Sequence, residues 1–413
     1  MTTQTQLAAA KAVQRRTGRT FHLATRLLPT RARRPTYVLY AFFRIADEIV
    51  DDPNPESTAS QRRDLAALRT VALGEQEPSD EVLGAFATLR ETHELDVGEI
   101  EVFLDAMAMD LETTRYATTD ELGTYLRGSS VAVAFLLLDA FATDVDDAAR
   151  PHAAALAEAF QLTNFLRDVR EDVRQYDRIY LPREALRRNG ARVEDVEALS
   201  PTDGVVAAVR DELERTEERY REGVAGIHYL PEDVQFGVLL AAVLYAEHHR
   251  LIRRQGYDTL SSRPSLSTPR RLLVTARTWY RWQRCRDPAA VFEAVSAVPS
   301  GDESASPGDE RENEENEGDE SATAGGVSTS TNDESATAGG VSASTDDESA
   351  TAGDESTSFD DEFAISANER ATGVSRAVRK RATRLCGPEL RQPRRLASCA
   401  RRRLLAYLDV GSK

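Results

Sequence analysis

Residues 161–182 read QLTNFLRDVREDVRQYDRIYLP. Within this apolar helical stretch, Asn164, Asp168 and Asp172 recur at intervals of four. On a helix of 3.6 residues per turn they stack along one face, and Gln161 lies one turn earlier on roughly the same side. A solvated face usually mixes acids with bases at that spacing to gain weak pairings. Here Arg167, Arg170 and Arg174 mostly fall elsewhere. Two carboxylates and an amide in such a row ask for a cation.

A second acidic site comes earlier, in YVLYAFFRIADEIVDDP at 37–53. Asp47 and Asp51 are four apart, Glu48 borders them, and Arg44 precedes Asp47 by one turn. Val38, Leu39, Phe42, Phe43, Ile45, Ile49 and Val50 would anchor this segment in a core. Burying unpaired carboxylates there is costly. The cost is removed if the two rows face each other across a cavity and share hard divalent cations. Carboxylate and amide oxygens suit Mg²⁺, with Mn²⁺ as the alternative. Such an ion uses few carboxylates, keeps waters and completes its shell with substrate phosphate. A diphosphate leaving group fits, because the cation neutralises charge on the departing oxygen. Arg44 and Arg167 could offer planar donors to the phosphate. A lone DxxxD is usually a solvated or salt-bridged face, and Asn-x3-Asp-x3-Asp can be a cap plus surface acids. The conjunction of both rows in apolar helices favours the metal. A di-iron bundle would need Glu-x-x-His pairs, and none of the six histidines has a glutamate three residues before it.

Charge is unevenly placed within the formal net of −17. Residues 301–363 hold 20 acids and one base, 364–413 hold 13 bases and three acids, and 1–300 hold 46 acids and 38 bases. Only Lys11, Lys380 and Lys413 are lysine, so 49 of the 52 bases are arginine. Low lysine with abundant acid resembles the proteins of extreme halophiles, although a high-GC coding bias also yields arginine. Cys285, Cys386 and Cys399 show no metal-ligand spacing and suit reduced thiols. MTTQTQLAAAKAVQRR has too short an apolar run for a signal peptide. No stretch approaches the roughly eighteen apolar residues of a membrane span. The expected setting is cytoplasmic, with peripheral membrane contact left open.

Apolar residues repeat at three and four in 36–50, 99–112, 120–142, 153–174, 205–224 and 233–254. Residues 1–299 therefore read as one all-α domain. Pro151 suits a helix start, and Pro182 follows a helix end. Between 300 and 363 the composition collapses to small and acidic residues. DESATAGGVSTSTN at 319, DESATAGGVSASTD at 333 and DESATAGDESTSFD at 347 give a period of 14. With almost nothing to bury, this insert is expected to be disordered. Residues 364–413 form a basic tail with scope for one or two short helices. Its arginines suit an anionic membrane or the acidic insert, and no nucleic-acid partner is expected.

Taken together, TFHLATRLLP (20–29), YAFFRIADEIVD (40–51), AMAMDLETTRYATTDELGTYLRGSS (106–130), the stretch at 161–182 and GYDTLSSR (256–263) resemble the head-to-head prenyl synthases. These comprise phytoene, squalene and dehydrosqualene synthases, and the resemblance spans about residues 17–292. It implies an all-α isoprenoid synthase bundle around a central apolar cavity. Asp47 and Asp51 match the first metal motif, and Asn164, Asp168 and Asp172 the second. Arg44, Arg167 and Gln161 match positions touching diphosphate or its metal shell, and Arg19 a phosphate-contacting base. Asp110, Tyr125 and Tyr257 match polar cavity positions, with Tyr257 taken as catalytic. Tyr40, one turn before Arg44, joins the substrate-binding set. The implied reaction condenses two geranylgeranyl diphosphates to phytoene through a cyclopropyl diphosphate, without NADPH. The alternative is squalene or dehydrosqualene formation from farnesyl diphosphate. A different class, a non-catalytic prenyl-lipid-binding or assembly protein, would be marked by lost aspartates, yet all four are present. Glu48 replaces a common aspartate, and Ala134 a common glycine that would widen the cavity. Oligomeric state is not readable. His248 and His249 read as ordinary helix residues, and Trp279 and Trp282 as part of a last amphipathic helix.

Overall fold

The structure, a computed structural model, describes residues 3–299 apart from 18, 53–56 and 142–145, and the side chains of 15–20 are not among those described. The acidic segment and the basic tail, with the disorder and the short helices expected for them, lie outside the described residues. Among the described residues the chain forms α1 Gln4–Thr17, α2 Arg19–Thr25, α3 Thr30–Val50, α4 Thr58–Leu73, α5 Glu81–Thr92, α6 Val97–Met109, α7 Thr119–Leu126 and α8 Val133–Phe141. It continues through α9 Ala149–Tyr176, α10 Arg183–Arg188, α11 Val193–Glu197, α12 Asp203–Ala225, α13 Glu232–Arg254, α14 Thr268–Trp282 and α15 Pro288–Val295. No strand forms among these residues, and Arg115 and Ile179 meet in an isolated parallel bridge.

Every segment with helical periodicity is helical, to within a few residues at its ends. One is interrupted: 120–142 divides into α7, a π-helical turn at Arg127–Ala132, and α8. π-turns are rare and concentrate at functional sites, and Ser129 and Ser130 of this one face the cavity described below. Gly128 lets the turn sit directly on α6, since a Cβ there would lie 2.5 Å from the Val102 carbonyl oxygen. The run Thr119–Phe141 is long and apolar enough to cross a membrane, but it packs within the body.

Three apolar clusters hold the helices together, and α9 runs between them. Leu162 and Phe165 enter the first, Leu156 and Ala159 the second, Leu166 and Val169 the third. Between these packing positions Gln161, Asn164, Asp168 and Asp172 form a polar row along α9. In the first cluster Phe42 of α3 stacks on Phe86 of α5, with ring centroids 3.8 Å apart. Burying a side chain of that size contributes about 1.5–3 kcal/mol. On the other side α12 packs closely on α9, because a Cβ at Gly223 would lie 2.5 Å from the Leu156 backbone nitrogen. Trp282 of α14 is buried near Phe236. The expectation that this helix is the last is corrected: α15 follows and packs against it.

Pro151 falls in the first turn of α9, where its missing N–H costs nothing. The helix ends at Asp177, whose φ of 49° is left-handed, and both Asp177 and Arg178 donate their amides to the Asp172 carbonyl. Pro182 then caps α10. The reversal at Asp177 turns the chain back beside residues 114–116, where the Ile179 amide donates to the Thr114 carbonyl at 2.9 Å. Arg115 pins the turn by donating to the Asp177 carboxylate at 2.7 Å and to Glu197 at 3.0 Å.

Candidate active site

A cavity of about 350 Å³ lies among α2, α3, α6, α8, α9 and α13. Its wall is largely apolar, with Leu28, Phe43, Leu137, Leu156, Phe160 and Val238 among the lining residues. Polar groups come mainly from two helices. Tyr40, Arg44 and Asp47 project from α3, and Gln161 and Asn164 from α9. Thus one member of each row reaches the same space, Asp47 from α3 and Asn164 from α9. Tyr40 stacks with Phe21, ring centroids 5.9 Å apart. Asn164 donates to Gln161 at 3.4 Å, a long bond between two side chains one turn apart.

Within the rows the carboxylates differ. Asp51 accepts from Arg178 at 2.7 Å. Asp168 accepts from Arg167 at 2.6 Å and from Arg263 at 2.8 Å. Among the described residues Asp47 has one ion pair, with Arg44 at 3.9 Å, while Arg44 turns its Nε toward Glu48 at 3.3 Å. Asp172 has no ion pair among the described residues. Asp47 keeps 41% of its side-chain exposure and borders the cavity. Burial, followed by Asp51, pushes its carboxyl up to about 7. Burial and then Asp168 push Asp172 up to about 8. Each of these groups lacks a close counter-charge beside another acid.

Below the rows sits a buried polar network. Tyr125 donates to Asp110 at 2.9 Å, and Arg178 donates to the Asp110 carbonyl at 3.2 Å. Arg178 Nε and Asp110 Oδ1 stand 3.8 Å apart, and both are buried without a hydrogen bond. Burial raises the Asp110 carboxyl to about 6, against the pull of Arg178 and Tyr125. Tyr180 stacks on Phe165 of α9 at 3.7 Å. Arg178 acts electrostatically on Asp47, Asp51, Asp110 and Asp172, so one guanidinium addresses both rows.

Of the residues expected from sequence, Tyr40, Arg44, Asp47, Tyr125, Gln161 and Asn164 line the cavity. Asp51, Asp110, Arg167, Asp168 and Asp172 are not among its lining residues, and of these Asp110 is bonded to the wall through Tyr125. Arg19 opens α2, but its side chain lies outside the described residues. Tyr257 is corrected: it is not in the cavity wall. It sits past the end of α13 with φ 63°, packs on the third cluster, and has Arg210 over its ring at 4.9 Å. The tyrosine that α13 does turn into the cavity is Tyr245. Sequence reasoning missed Tyr245, and it also missed Arg178 and Arg263. Both arginines lie inside the quoted stretches, Arg178 between the second row and its YLP.

Among the described residues no three His, Cys, Asp or Glu side chains converge as ligands of one metal ion. Mg²⁺ does not require such a cage, since it is commonly held by one or two carboxylates, waters and substrate phosphates. The donors present are all oxygen, and Asp47 and Asp172 are carboxyls whose ionised form is disfavoured here and would be favoured by a cation. The residues fit a hard divalent ion.

Comparison with known proteins gives a consistent result. Residues 14–270 match the family model for squalene/phytoene synthase. A 15-cis-phytoene synthase of Synechocystis is 30% identical over 276 residues, covering 64% of this chain and 82% of that protein. A phytoene synthase of Cereibacter sphaeroides is 33% identical over 286 residues, 66% of this chain and 79% of that protein. Among solved structures, a dehydrosqualene synthase in complex with ligand superposes with a TM-score of 0.62 at 25% identity, over 68% of this chain and 98% of that one. A squalene synthase from Alicyclobacillus acidocaldarius gives 0.55, also at 25% identity, over 61% and 94%.

Proposed function

Because this chain belongs to the squalene/phytoene synthase family, a family of prenyltransferases, we propose that it joins two geranylgeranyl diphosphates head to head to form phytoene, a step of carotenoid biosynthesis. The observation that carries this reading is a largely apolar cavity whose wall also carries Arg44 and Asp47 of α3 and Gln161 and Asn164 of α9. Such a site suits a molecule with a long hydrocarbon tail and a diphosphate head. The relatives named phytoene synthase supply the choice of the C20 donor.

In this reading Asp47, Asp51, Asn164, Asp168 and Asp172 would hold Mg²⁺. When bound, the ion supplies Lewis-acid neutralisation of charge on the diphosphate oxygens. Arg44 and Arg167 donate to those oxygens and orient the head group, with Gln161 beside them. Arg19 is proposed as a further phosphate contact. The carbon chain lies along Phe43, Leu137, Phe160 and Val238. The C–O bond of one donor breaks, the second donor's double bond captures the allylic cation, and loss of a proton from the resulting cation closes a cyclopropyl diphosphate. That species loses its own diphosphate, rearranges and gives up a proton, so no reductant is consumed. The apolar wall excludes the water that would quench each cation. Tyr125, tied to Asp110, places a phenolic oxygen at the wall near these charges.

The second reading, a C15 donor, is favoured by the two structural neighbours at 25% identity. A product assay with Mg²⁺ separates them, offering C15 and C20 allylic diphosphates separately, with and without NADPH. A C40 hydrocarbon from the C20 donor without reductant is expected. A C30 product alone would move the assignment to the second reading. No product from either would favour a non-catalytic lipid-binding role. Composition also suggests a halophilic origin, so the assay is best repeated in high salt.

A further inference from the structure

Helix α14 has two apolar faces, and only one is used by the fold. Val274, Thr278 and Trp282 are buried against the second cluster. On the other side Leu272, Leu273 and Tyr280 are 49%, 58% and 52% exposed, three of the four large apolar side chains that stand so far out among the described residues. At 3.6 residues per turn, Leu272, Ala276, Tyr280 and Leu273 fall within an arc of about 100°. Arginines border this strip. Residues 268–286 contain six arginines and no acid. Arg270 is neutralised by Glu247, but Arg277, Arg281, Arg284 and Arg286 form no ion pair with a carboxylate among the described residues. Arg277 reaches the Ala294 carbonyl, and Arg284 lies over the Tyr280 ring at 3.5 Å.

An exposed apolar strip edged by unneutralised arginines needs a partner that is apolar and anionic on one surface. A protein interface of ordinary stability buries about 800 Å² per partner, far more than three side chains on a single helix supply. An anionic bilayer meets both demands. Its phosphates face the guanidinium groups, and its acyl boundary lies within the 5–10 Å or so that an interfacial helix penetrates. Tyrosine, apolar in its ring and polar at its tip, suits that depth. We propose that α14 is a membrane-docking helix, which lays Leu272, Leu273 and Tyr280 into an anionic lipid surface while Arg277, Arg281 and Arg284 engage lipid phosphates. This docking does not depend on which allylic diphosphate the enzyme uses.

The test is flotation of the full chain with vesicles of phosphatidylcholine alone and of phosphatidylcholine with phosphatidylglycerol. The parent protein should float with the mixed vesicles and stay behind with the neutral ones. The variant Leu272→Ser/Leu273→Ser/Tyr280→Ser should lose about tenfold or more of its partition, with an unchanged melting temperature and unchanged turnover in detergent. Arg277→Gln/Arg281→Gln/Arg284→Gln should lose the preference for anionic lipid. If the triple serine variant is unstable, Leu273→Ser alone should still show a measurable loss. Partition of the serine variants equal to the parent would overturn the proposal and move lipid contact elsewhere, the basic tail included. Failure of the parent to float would overturn it too. So would self-association that the serine variant abolishes without any vesicle binding, because the strip would then be a protein contact.

Discussion

In the row on α3, Asp51 is fixed by Arg178, while Asp47 has one ion pair among the described residues, with Arg44 at 3.9 Å. In the row on α9, Asp168 is fixed by Arg167 next to it and by Arg263 from beyond α13, while Asp172 stands without an ion pair among the described residues. Both rows thus combine one neutralised carboxylate with one that lacks a close counter-charge. They differ in where the clamp comes from. The α9 row is held largely by its own helix and a half-exposed arginine. The α3 row is held by a buried arginine delivered by the turn that ends α9. The first row therefore depends on the second, and the reverse dependence is weaker. The unrelieved carboxylates, Asp47 and Asp172, are the two with the greatest gain from a cation.

The largest effect is expected from removing those carboxyls. Asp47→Asn and Asp172→Asn should each lower turnover by about 10²-fold or more. Measured without metal, neither should lower the melting temperature, because burial beside another acid already disfavours the ionised form of each carboxyl. Asp51→Asn should lower both, because it strands Arg178. If all three variants melt alike, the distinction between clamped and unrelieved carboxylates is wrong.

A second comparison separates the clamps. Arg178→Met leaves Asp51 and Asp110 without their cation in a buried setting, and such a loss costs about 3–5 kcal/mol. Arg263→Met removes a guanidinium that is 43% exposed, where an ion pair contributes about 1 kcal/mol or less. Denaturant midpoints of the two variants measure the difference. Equal losses would contradict the dependence of the first row on Arg178.

The last effect appears only on acidification and concerns stability behind α9. Burial, and next the charge of Arg167, depress His248 from 6.5 to about 3. Its Nδ1–H donates to the Tyr245 carbonyl at 3.0 Å. Between those two values the unfolded chain binds a proton that the folded chain refuses. This contribution is therefore complete above about pH 6.5 and declines as pH falls toward 3, by at most about 1.4 kcal/mol per unit. Melting curves of His248→Gln should show a shallower acid decline than the parent. An identical decline would mean that other groups govern it.

How far these features could be read from sequence depends on whether they are local. The helices α3, α9, α12 and α13 were legible because their apolar positions keep a 3.6-residue period. The rows were legible because Asp47–Asp51 and Asn164–Asp168–Asp172 repeat within that period. The π-turn was not, since YLRGSSVAVAF has the composition of a continuous helix. The role of Arg178 was not, because it requires the left-handed residue at Asp177, which no spacing rule places there. The expectation for Tyr257 rests on the resemblance to the family; here α13 ends at Arg254 and Tyr257 packs on the third cluster beyond it. Tyr245, inside that helix and in phase with Gly237, Val238 and Ala241, lines the cavity. His249 read as an ordinary helix residue. It is fully buried and bridges Thr163 of α9 and Glu217 of α12 at 2.9 and 3.0 Å, a structural role on the side of α9 away from the acidic row.

The most direct test of the account is a calorimetric titration of Mg²⁺ into the full chain, with and without an unreactive C20 thiodiphosphate. Two rows that share cations with a diphosphate predict that each ligand strengthens binding of the other, and that Asp47→Asn and Asp172→Asn each weaken this coupling by about tenfold or more. Coupling of parental strength in both variants would contradict the assignment of the two rows as one metal–diphosphate site.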